Sequence, residues 1–533
     1  MRNAYQVAKV RAAEAALMAL VPEGALMQRA AAGLASVCAG ILAGSGGVYG
    51  ARVVVLAGTG DNGADALYAG SRLAARGAQV TAIAAGSRVH ALAAAALRDS
   101  GGVIIPVTPP RAPDNTARAI GRADLILDGL LGIGGKGGLR DPFASLAWQA
   151  ANSPGVLVAV DLPSGIDADT GAVEGPAVRA DVTVTFGTLK PGLLIDPGAT
   201  HAGVVELVDI GLTPHLIDVP DAAAPRHEDI AGLIPQPGPE SDKYRRGVLG
   251  LLAGSDQYTG AAVLATGGAV HGGAGMVRLV TAPGSAAVVR RDWPEVVVTE
   301  LGGETGVRSG KGFPEGVGRV QAWVAGPGMG TGDEAAARLE AVLRTSLPVL
   351  VDADGLTIVA QREGLLPRPA PTLLTPHAGE LGRLIGADPA DVAARRVEHA
   401  REAARRLGAC VLLKGSTTVI AEPGGTEPVL VNPTGTPWLA TAGSGDVLSG
   451  LAGALLAQGL LPPQAALAAA YLHGLAARHA AAGSAAGTPW AGTPWAGALA
   501  GGVFEAGSGG AAPVGASDVV RAIPAAFRAL YHC

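Results

Sequence analysis

Six consecutive residues toward the C-terminal end, Thr441-Ala442-Gly443-Ser444-Gly445-Asp446, have the types and order needed to move a phosphoryl group. Small residues let successive backbone N–H groups face one point. A helix starting there adds the partial positive charge of its N-terminus, and Asp446 stands where a carboxylate can take a proton from a hydroxyl. The same residues also suit a plain helix N-cap, with Ser444 or Asp446 accepting backbone N–H groups after a glycine turn. The choice between the two readings rests on the rest of the chain.

Four further segments carry related chemistry. Gly326-Pro327-Gly328-Met329-Gly330 lets backbone approach a ligand closely, or forms a simple turn. Thr375-Pro376-His377-Ala378-Gly379-Glu380 places an imidazole after a strand-like run. Lys414-Gly415-Ser416-Thr417-Thr418 offers a cation and three hydroxyls suited to phosphate or ribose, or a β-turn with a solvated lysine. Asp352-Ala353-Asp354-Gly355 offers carboxylates for magnesium or for a hydroxylated substrate.

A second constellation lies in the first half. Gly58-Thr59-Gly60-Asp61-Asn62-Gly63-Ala64-Asp65 follows an apolar run with the Gly-x-Gly-x-x-Gly spacing of a dinucleotide loop. Asp61 and Asp65 would repel phosphate unless a cation or a ribose hydroxyl lies between them. Asp128 leads into Gly132-Ile133-Gly134-Gly135-Lys136-Gly137-Gly138, and Asp161-Leu162-Pro163-Ser164-Gly165-Ile166-Asp167 ends a third run. Oxygen ligands from Asn62, Asp128 and Ser164 are of the kind that surround a hard cation. Ordinary βα-turns with N-caps are the alternative.

The elements that must position these residues repeat one grammar. Short β-rich runs alternate with Ala-rich helical stretches at Val53–Ala57, Gln79–Ala84, Val103–Val107, Asp124–Asp128, Val156–Asp161, Val182–Phe186 and Val204–Asp209. That rhythm predicts a doubly wound parallel sheet, with helices over Val7–Leu20 and Gly24–Leu42 covering one face. A Pro-, Asp- and Ala-rich stretch, Thr213–Pro239, breaks the periodicity as a linker would. The grammar restarts at Val248–Ala253, Val277–Thr281, Val296–Thr299, Ala322–Ala325, Val349–Asp352, Thr372–Leu374, Cys410–Lys414 and Val429–Val431. In both halves the chemically unusual residues fall at strand ends, where open α/β sheets bind ligands.

Composition narrows the function classes. The 533 residues exceed one ordinary core. Gly numbers 80 against 5 Phe, 6 Trp and 7 Tyr, so the cores must be built from Ala, Val and Leu in closely packed layers. A net charge of −5 with no long basic run gives no electrostatic footprint for nucleic acid or anionic membrane. Cys38, Cys410 and Cys533 are odd in number and widely spaced, which argues against disulfides or zinc and fits a reducing cytoplasm. No uninterrupted apolar segment reaches the about 20 residues that span a bilayer. Gly-Thr-Pro-Trp recurs at 435–438, 487–490 and 492–495, and the tandem reads as a surface-loop insertion without chemistry.

The five strand-end motifs of the second half, in this order, resemble the ribokinase-like fold. The match is closest to the ADP- or ATP-dependent NAD(P)H-hydrate dehydratases, through Gly254-Ser255 with Tyr258-Thr259-Gly260-Ala261-Ala262, Gly-Pro-Gly-Met-Gly, Thr-Pro-His-Ala-Gly-Glu, Lys-Gly-Ser-Thr-Thr and Ala-Gly-Ser-Gly-Asp-Val-Leu. The sequence departs from that pattern at Ser444 and at Pro437-Trp438. The resemblance implies that Ala262, Gly328, Gly330, His377 and Asp446 face the hydrate. It also implies that Lys414, Gly415, Ser416, Thr417, Thr418, Thr436, Gly443, Ser444 and Gly445 bind ADP (or ATP) with magnesium, and that Asp446 is the catalytic base.

The first half is similar to the NAD(P)H-hydrate epimerase family, through the Gly58–Asp65 loop, Asp128, Asp-Leu-Pro-Ser-Gly-Ile-Asp, Phe186-Gly187 and Lys190-Pro191-Gly192. Asp61 and Ala64 depart from the family pattern. The resemblance implies substrate binding by Asp61, Asn62, Gly63, Ala64, Asp65, the Gly132–Gly138 loop and Asp161, with Asp161 as acid/base. It implies potassium held by Asn62, Asp128 and Ser164. Together the two resemblances imply an α/β protein of two domains, a Rossmann-like epimerase domain over 1–215 and a ribokinase-like dehydratase domain over 240–533, joined by a linker over 216–239. Such a protein repairs hydrated NADH and NADPH (NADHX and NADPHX), consuming ADP. The expectation is a cytoplasmic homo-oligomer that engages neither nucleic acid nor membrane. The alternative is a small-alcohol kinase fused to a non-catalytic ligand-binding module.

Overall fold

The computed structural model describes residues 1–86, 89–107, 114–302, 313, 315–482 and 512–531. Internal contacts divide the chain into two compact units, with Arg2–Ala222 in one and most of the chain from Ala223 onward in the other.

The first unit carries a seven-stranded sheet built from β1 (Arg52–Ala57), β2 (Gln79–Ala84), β3 (Val103–Pro106), β4 (Leu125–Gly129), β5 (Val156–Val160), β6 (Val182–Phe186) and β7 (Val204–Val208). The order is β3-β2-β1-β4-β5-β6-β7, and every pair is parallel. Strand β1 explains why its sequence is continuously apolar. Val53, Val55 and Ala57 join the core on one face, with helices Ala25–Ala43 and Asp61–Ala74, while Val54 and Leu56 join the core on the other, with Phe143–Ala151. A strand covered on both faces loses the alternation of a half-exposed one. Helix Ala25–Ala43 is long and apolar enough to cross a membrane. Here its Ala30, Leu34, Cys38 and Leu42 are buried in the core of this unit.

In the second unit the strands are β8 (Val248–Leu252), β9 (Met276–Thr281), β10 (Val297–Glu300), β11 (Ala322–Ala325), β12 (Val349–Val351), β13 (Thr372–Leu374), β14 (Cys410–Leu413), β15 (Thr418–Ala421) and β16 (Val429–Asn432). They run in the order β16-β15-β14-β13-β12-β11-β8-β9-β10. Pairing is parallel from β10 to β14 and antiparallel at β14–β15 and β15–β16. Gly415–Thr417 is therefore a hairpin turn between β14 and β15, a strand that the sequence hides inside a motif rich in hydroxyls.

The scarcity of aromatics shows in how helices meet. Helices Thr259–His271 and Ser444–Ala457 pack so closely that a Cβ on Gly450 would lie 1.9 Å from the carbonyl oxygen of Ala265. Only glycine permits that approach.

Residues 216–239, expected to be a linker, instead hold a short strand, Ala222–Ala224, and a helix, His227–Leu233. The helix is tied to Pro462–Ala482 by a hydrogen bond between Tyr471 Oη and His227 Nδ1 (2.6 Å). Tertiary contact, not periodicity, forms this helix, so the composition of the segment concealed it. Cys38 and Cys410 are buried and unbonded. Cys533 and the tandem Gly-Thr-Pro-Trp copies at 487–495 lie outside the described residues, while the first copy enters a 3₁₀ turn at Pro437–Leu439.

Candidate functional sites

Parallel strands deliver the second unit's motifs to one edge. Lys414, Thr375, Asp352, Gly326 and Ala253 each immediately follow the last residue of β14, β13, β12, β11 and β8, and these five strands are consecutive neighbours in the sheet.

At that edge helix Ser444–Ala457 begins after Gly443, whose φ of 85° is left-handed and suits glycine. No side chain caps the helix, which disposes of the N-cap alternative. Ser444 turns away, donating its hydroxyl to the carbonyl of Leu439 (2.8 Å). The N–H groups of Gly445 and Asp446 find no protein acceptor among the described residues. Unmatched N–H groups at a helix N-terminus form an anion site.

Charge around Asp446 is arranged for proton transfer. Burial pushes its carboxyl up to about 7; Asp352, Asp354 and Glu380 push the same way, and Lys414 opposes them. Lys414 Nζ donates to Asp352 Oδ1 (2.8 Å) and lies 3.8 Å from Glu380 Oε2. The lysine is thus not solvated, as a plain surface turn would have it. Burial alone would lower its pKa, but Asp352, Glu380 and Asp446 together raise it, so it stays cationic. Asp352 Oδ2 accepts the Ser449 hydroxyl (2.7 Å). Both oxygens of Asp352 are therefore engaged, and it does not remain the open magnesium ligand expected. Asp354 accepts the Gly330 N–H through Oδ2 (2.9 Å), leaving Oδ1 without a protein partner among the described residues.

His377 caps helix Ala378–Ile385: its Nδ1 accepts the N–H groups of Gly379 (3.0 Å) and Glu380 (3.3 Å). That fixes the proton on Nε2 in the neutral ring and makes the exposed edge a donor. Gly328 packs against Tyr258 and Ala261. Ala262 is fully buried, its side chain against Gly254, so contrary to expectation it presents no surface to a ligand. Thr417 is buried, its carbonyl held by Arg396 (3.0 Å). Arg478 donates to the carbonyls of Thr434 (2.7 Å) and Gly435 (2.8 Å), pinning the approach to Thr436. Ser449, Arg396 and Arg478 were not singled out in the sequence, although buried polar residues on Ala-rich helices need partners and are a readable signal.

In the first unit, Asp128 lies one residue before the end of β4, fully buried. It accepts the Ser164 N–H (2.8 Å) and hydroxyl (2.7 Å), and burial raises its carboxyl to about 6 against those bonds. Ser164 Oγ also receives the Leu131 N–H (2.9 Å), and Asn62 Nδ2 donates to the Leu131 carbonyl (2.8 Å). Asn62 and Ser164 thus meet at the Leu131 backbone, and Asp128 is joined to them through Ser164. Carboxylate, hydroxyl, carbonyl and Asn62 Oδ1, which has no protein partner among the described residues, make an all-oxygen donor set that fits a potassium ion.

Asp161 follows β5. Its Oδ1 accepts Lys190 Nζ (2.5 Å), the Thr185 hydroxyl (3.0 Å) and the Phe186 N–H (3.2 Å), and Lys190 is fully buried. Glu14 and Asp65 crowd the same place. Burial first, then Asp161, Asp61 and Glu14, raise the Asp65 carboxyl well above its ordinary range. Burial also raises Glu14, with Lys190 opposing. Gly132 lies against the Asn62 side chain, Gly134 beside the Arg11 guanidinium, and Lys136 is exposed. Lys190 and Glu14 are the site residues the sequence did not assign.

Among the described residues, the two non-glycine residues with positive φ are Asp161 (63°) and Ala353 (48°), one in each site. Such backbone costs on the order of 1–3 kcal/mol and gathers where geometry serves function.

Comparison with known proteins follows this division. A family model described as NAD(P)H-hydrate dehydratase matches residues 249–491, and one described as YjeF-related protein N-terminus matches residues 23–192. The chain is 50% identical over 472 residues to the Bifunctional NAD(P)H-hydrate repair enzyme Nnr of Mycobacterium tuberculosis, covering 87% of this chain and 91% of that one. It is 49% identical over 489 residues to the protein of the same name from Mycobacterium leprae, covering 90% and 95%. Among solved structures, the ADP/ATP-dependent NAD(P)H-hydrate dehydratase of Bacillus subtilis, co-crystallized with ATP/Mg2+, is 28% identical, covering 57% of this chain and 97% of its own at a TM-score of 0.46.

Proposed function

The chain belongs to the bifunctional NAD(P)H-hydrate repair enzymes, and on that premise we infer how its two sites divide the work. The protein is an NAD(P)H-hydrate epimerase and a nucleotide-driven NAD(P)H-hydrate dehydratase in one chain. The observation that carries the site assignment is Asp446, half-buried with a carboxyl near 7 at the unmatched N–H groups of a helix start.

In the dehydratase, Asp446 takes the proton of the hydrate's hydroxyl as that oxygen takes a phosphoryl group from ADP or ATP. The N–H groups of Gly445 and Asp446, with Lys414, receive the charge on the moving phosphoryl. The carbon–oxygen bond then breaks with phosphate as leaving group, and loss of a proton from the neighbouring ring carbon restores the double bond. Phosphorylation converts hydroxide into a good leaving group, which is why a kinase-like loop serves a dehydratase. Magnesium, arriving with the nucleotide, supplies charge neutralisation at the phosphates, and Asp354 keeps an oxygen for it.

In the epimerase, Asp161, held by Lys190, is the base, and Asp65, whose carboxyl is raised by burial and by Asp161, Asp61 and Glu14, is the acid. Asn62, Asp128 and Ser164 would hold a potassium ion, which would supply positive charge beside the acidic loop. The domains divide near residue 222. The assignment is tested by Asp161→Ala: turnover of the R hydrate is lost while turnover of the S hydrate with nucleotide is intact. Loss of neither would make the first unit a non-catalytic binding module.

A further inference from the structure

Helices Thr259–His271 and Ser444–Ala457 carry active-site loops at their N-termini, and their other ends meet at an open groove on the opposite edge of the sheet. The groove has a volume of about 400 Å³, within the range of small-molecule sites. Its charged lining consists of Arg245, Arg246 and Arg528, with no carboxylate among the lining residues.

Helix C-termini ordinarily disfavour anions, because their last carbonyls point outward. Here those carbonyls are already answered. Gln458 Nε2 donates to Gly272 O (3.0 Å) and Ala454 O (3.1 Å), and Arg246 donates to Gly273 O (3.1 Å). The arginines, by contrast, are poorly neutralised. The Glu240 carboxylate stands 3.9 Å from Arg245 and is 91% exposed, and Arg528 has no carboxylate partner among the described residues. The rest of the lining includes Ile234, Pro235, Pro237, Phe527 and Tyr531, which are apolar and partly aromatic.

Weakly neutralised guanidinium groups and apolar rings in one groove match a ligand that joins a phosphate to a flat ring. We propose that this groove is a second ligand site, distinct from both catalytic sites, that binds a mononucleotide-sized phosphorylated compound.

The test is calorimetric titration of the full chain with uridine 5′-monophosphate, repeated on Arg528→Ala, on Arg245→Ala/Arg528→Ala and on the catalytic-site variant Lys414→Ala. The arginines are exposed, so thermal unfolding should show the variants folded; Arg528→Ala serves alone if the double variant is not. Loss of one guanidinium contact is expected to weaken binding about tenfold, with Lys414→Ala leaving it unchanged. No binding to the wild type at millimolar ligand, binding undiminished in the arginine variants, or binding lost only in Lys414→Ala would each overturn the proposal.

Discussion

Lys414 and Asp352 form a largely buried ion pair, 2.8 Å apart across the ends of β14 and β12, two strands apart, and the second oxygen of Asp352 is closed off by the Ser449 hydroxyl. This pair holds the lysine at the edge where Asp446 and the free N–H groups meet. Breaking a buried pair by removing one partner costs about 3–5 kcal/mol. Lys414→Met should therefore lower the melting temperature as well as abolish nucleotide-dependent turnover. Adding Asp352→Asn should recover most of the stability and none of the activity, read by thermal unfolding beside the dehydratase assay.

Asp446→Asn should reduce dehydratase kcat by about 10²–10⁴, the usual contribution of a positioned base, with little change in nucleotide affinity measured by titration calorimetry. In the wild type, kcat/KM for dehydration should rise with pH through about 7, as the carboxyl loses its proton. A flat profile across that range would remove Asp446 from the role of base.

The same residue sets a stability trend of opposite sign. Its folded-state pKa lies above the unfolded value, so the folded form binds the extra proton and stability falls as pH rises between about 4 and 7. Asp446→Asn should be more stable than the wild type above pH 7, by on the order of a few kcal/mol, and nearly indistinguishable from it below pH 4. Chemical denaturation at the two pH values checks this.

Much of this arrangement was legible in the sequence, because β-rich runs bounded by glycine and acidic residues fix both the strands and what stands at their ends. Thr372–Leu374 and Val182–Phe186 fall where their apolar runs do. What was not legible depends on partners distant in sequence. Lys190 appears in the chain only as part of a Lys-Pro-Gly motif; its burial against Asp161 arises because β6 brings Thr185 and Phe186 to the same carboxylate. Glu14 reaches that site from a helix more than a hundred residues away in sequence. Strand Thr418–Ala421 went unread because its first residue doubles as the last of the nucleotide motif.

Lys190→Met should strip Asp161 of its cation and abolish epimerisation, while the dehydratase acts normally on the pure S hydrate. Asp65→Asn, which copies the neutral form of that carboxyl but cannot give up a proton, should also lose epimerase activity with its fold intact. Chiral separation of the R and S hydrates over time distinguishes either outcome from general unfolding.

The most direct measurement follows an R/S mixture of hydrated NADH incubated with the full chain and ADP or ATP, monitored at the absorbance band of reduced nicotinamide. Complete recovery of that absorbance with both epimers consumed and phosphate released is the predicted result; no recovery with either nucleotide, or accumulation of a stable phosphorylated product, would contradict the account.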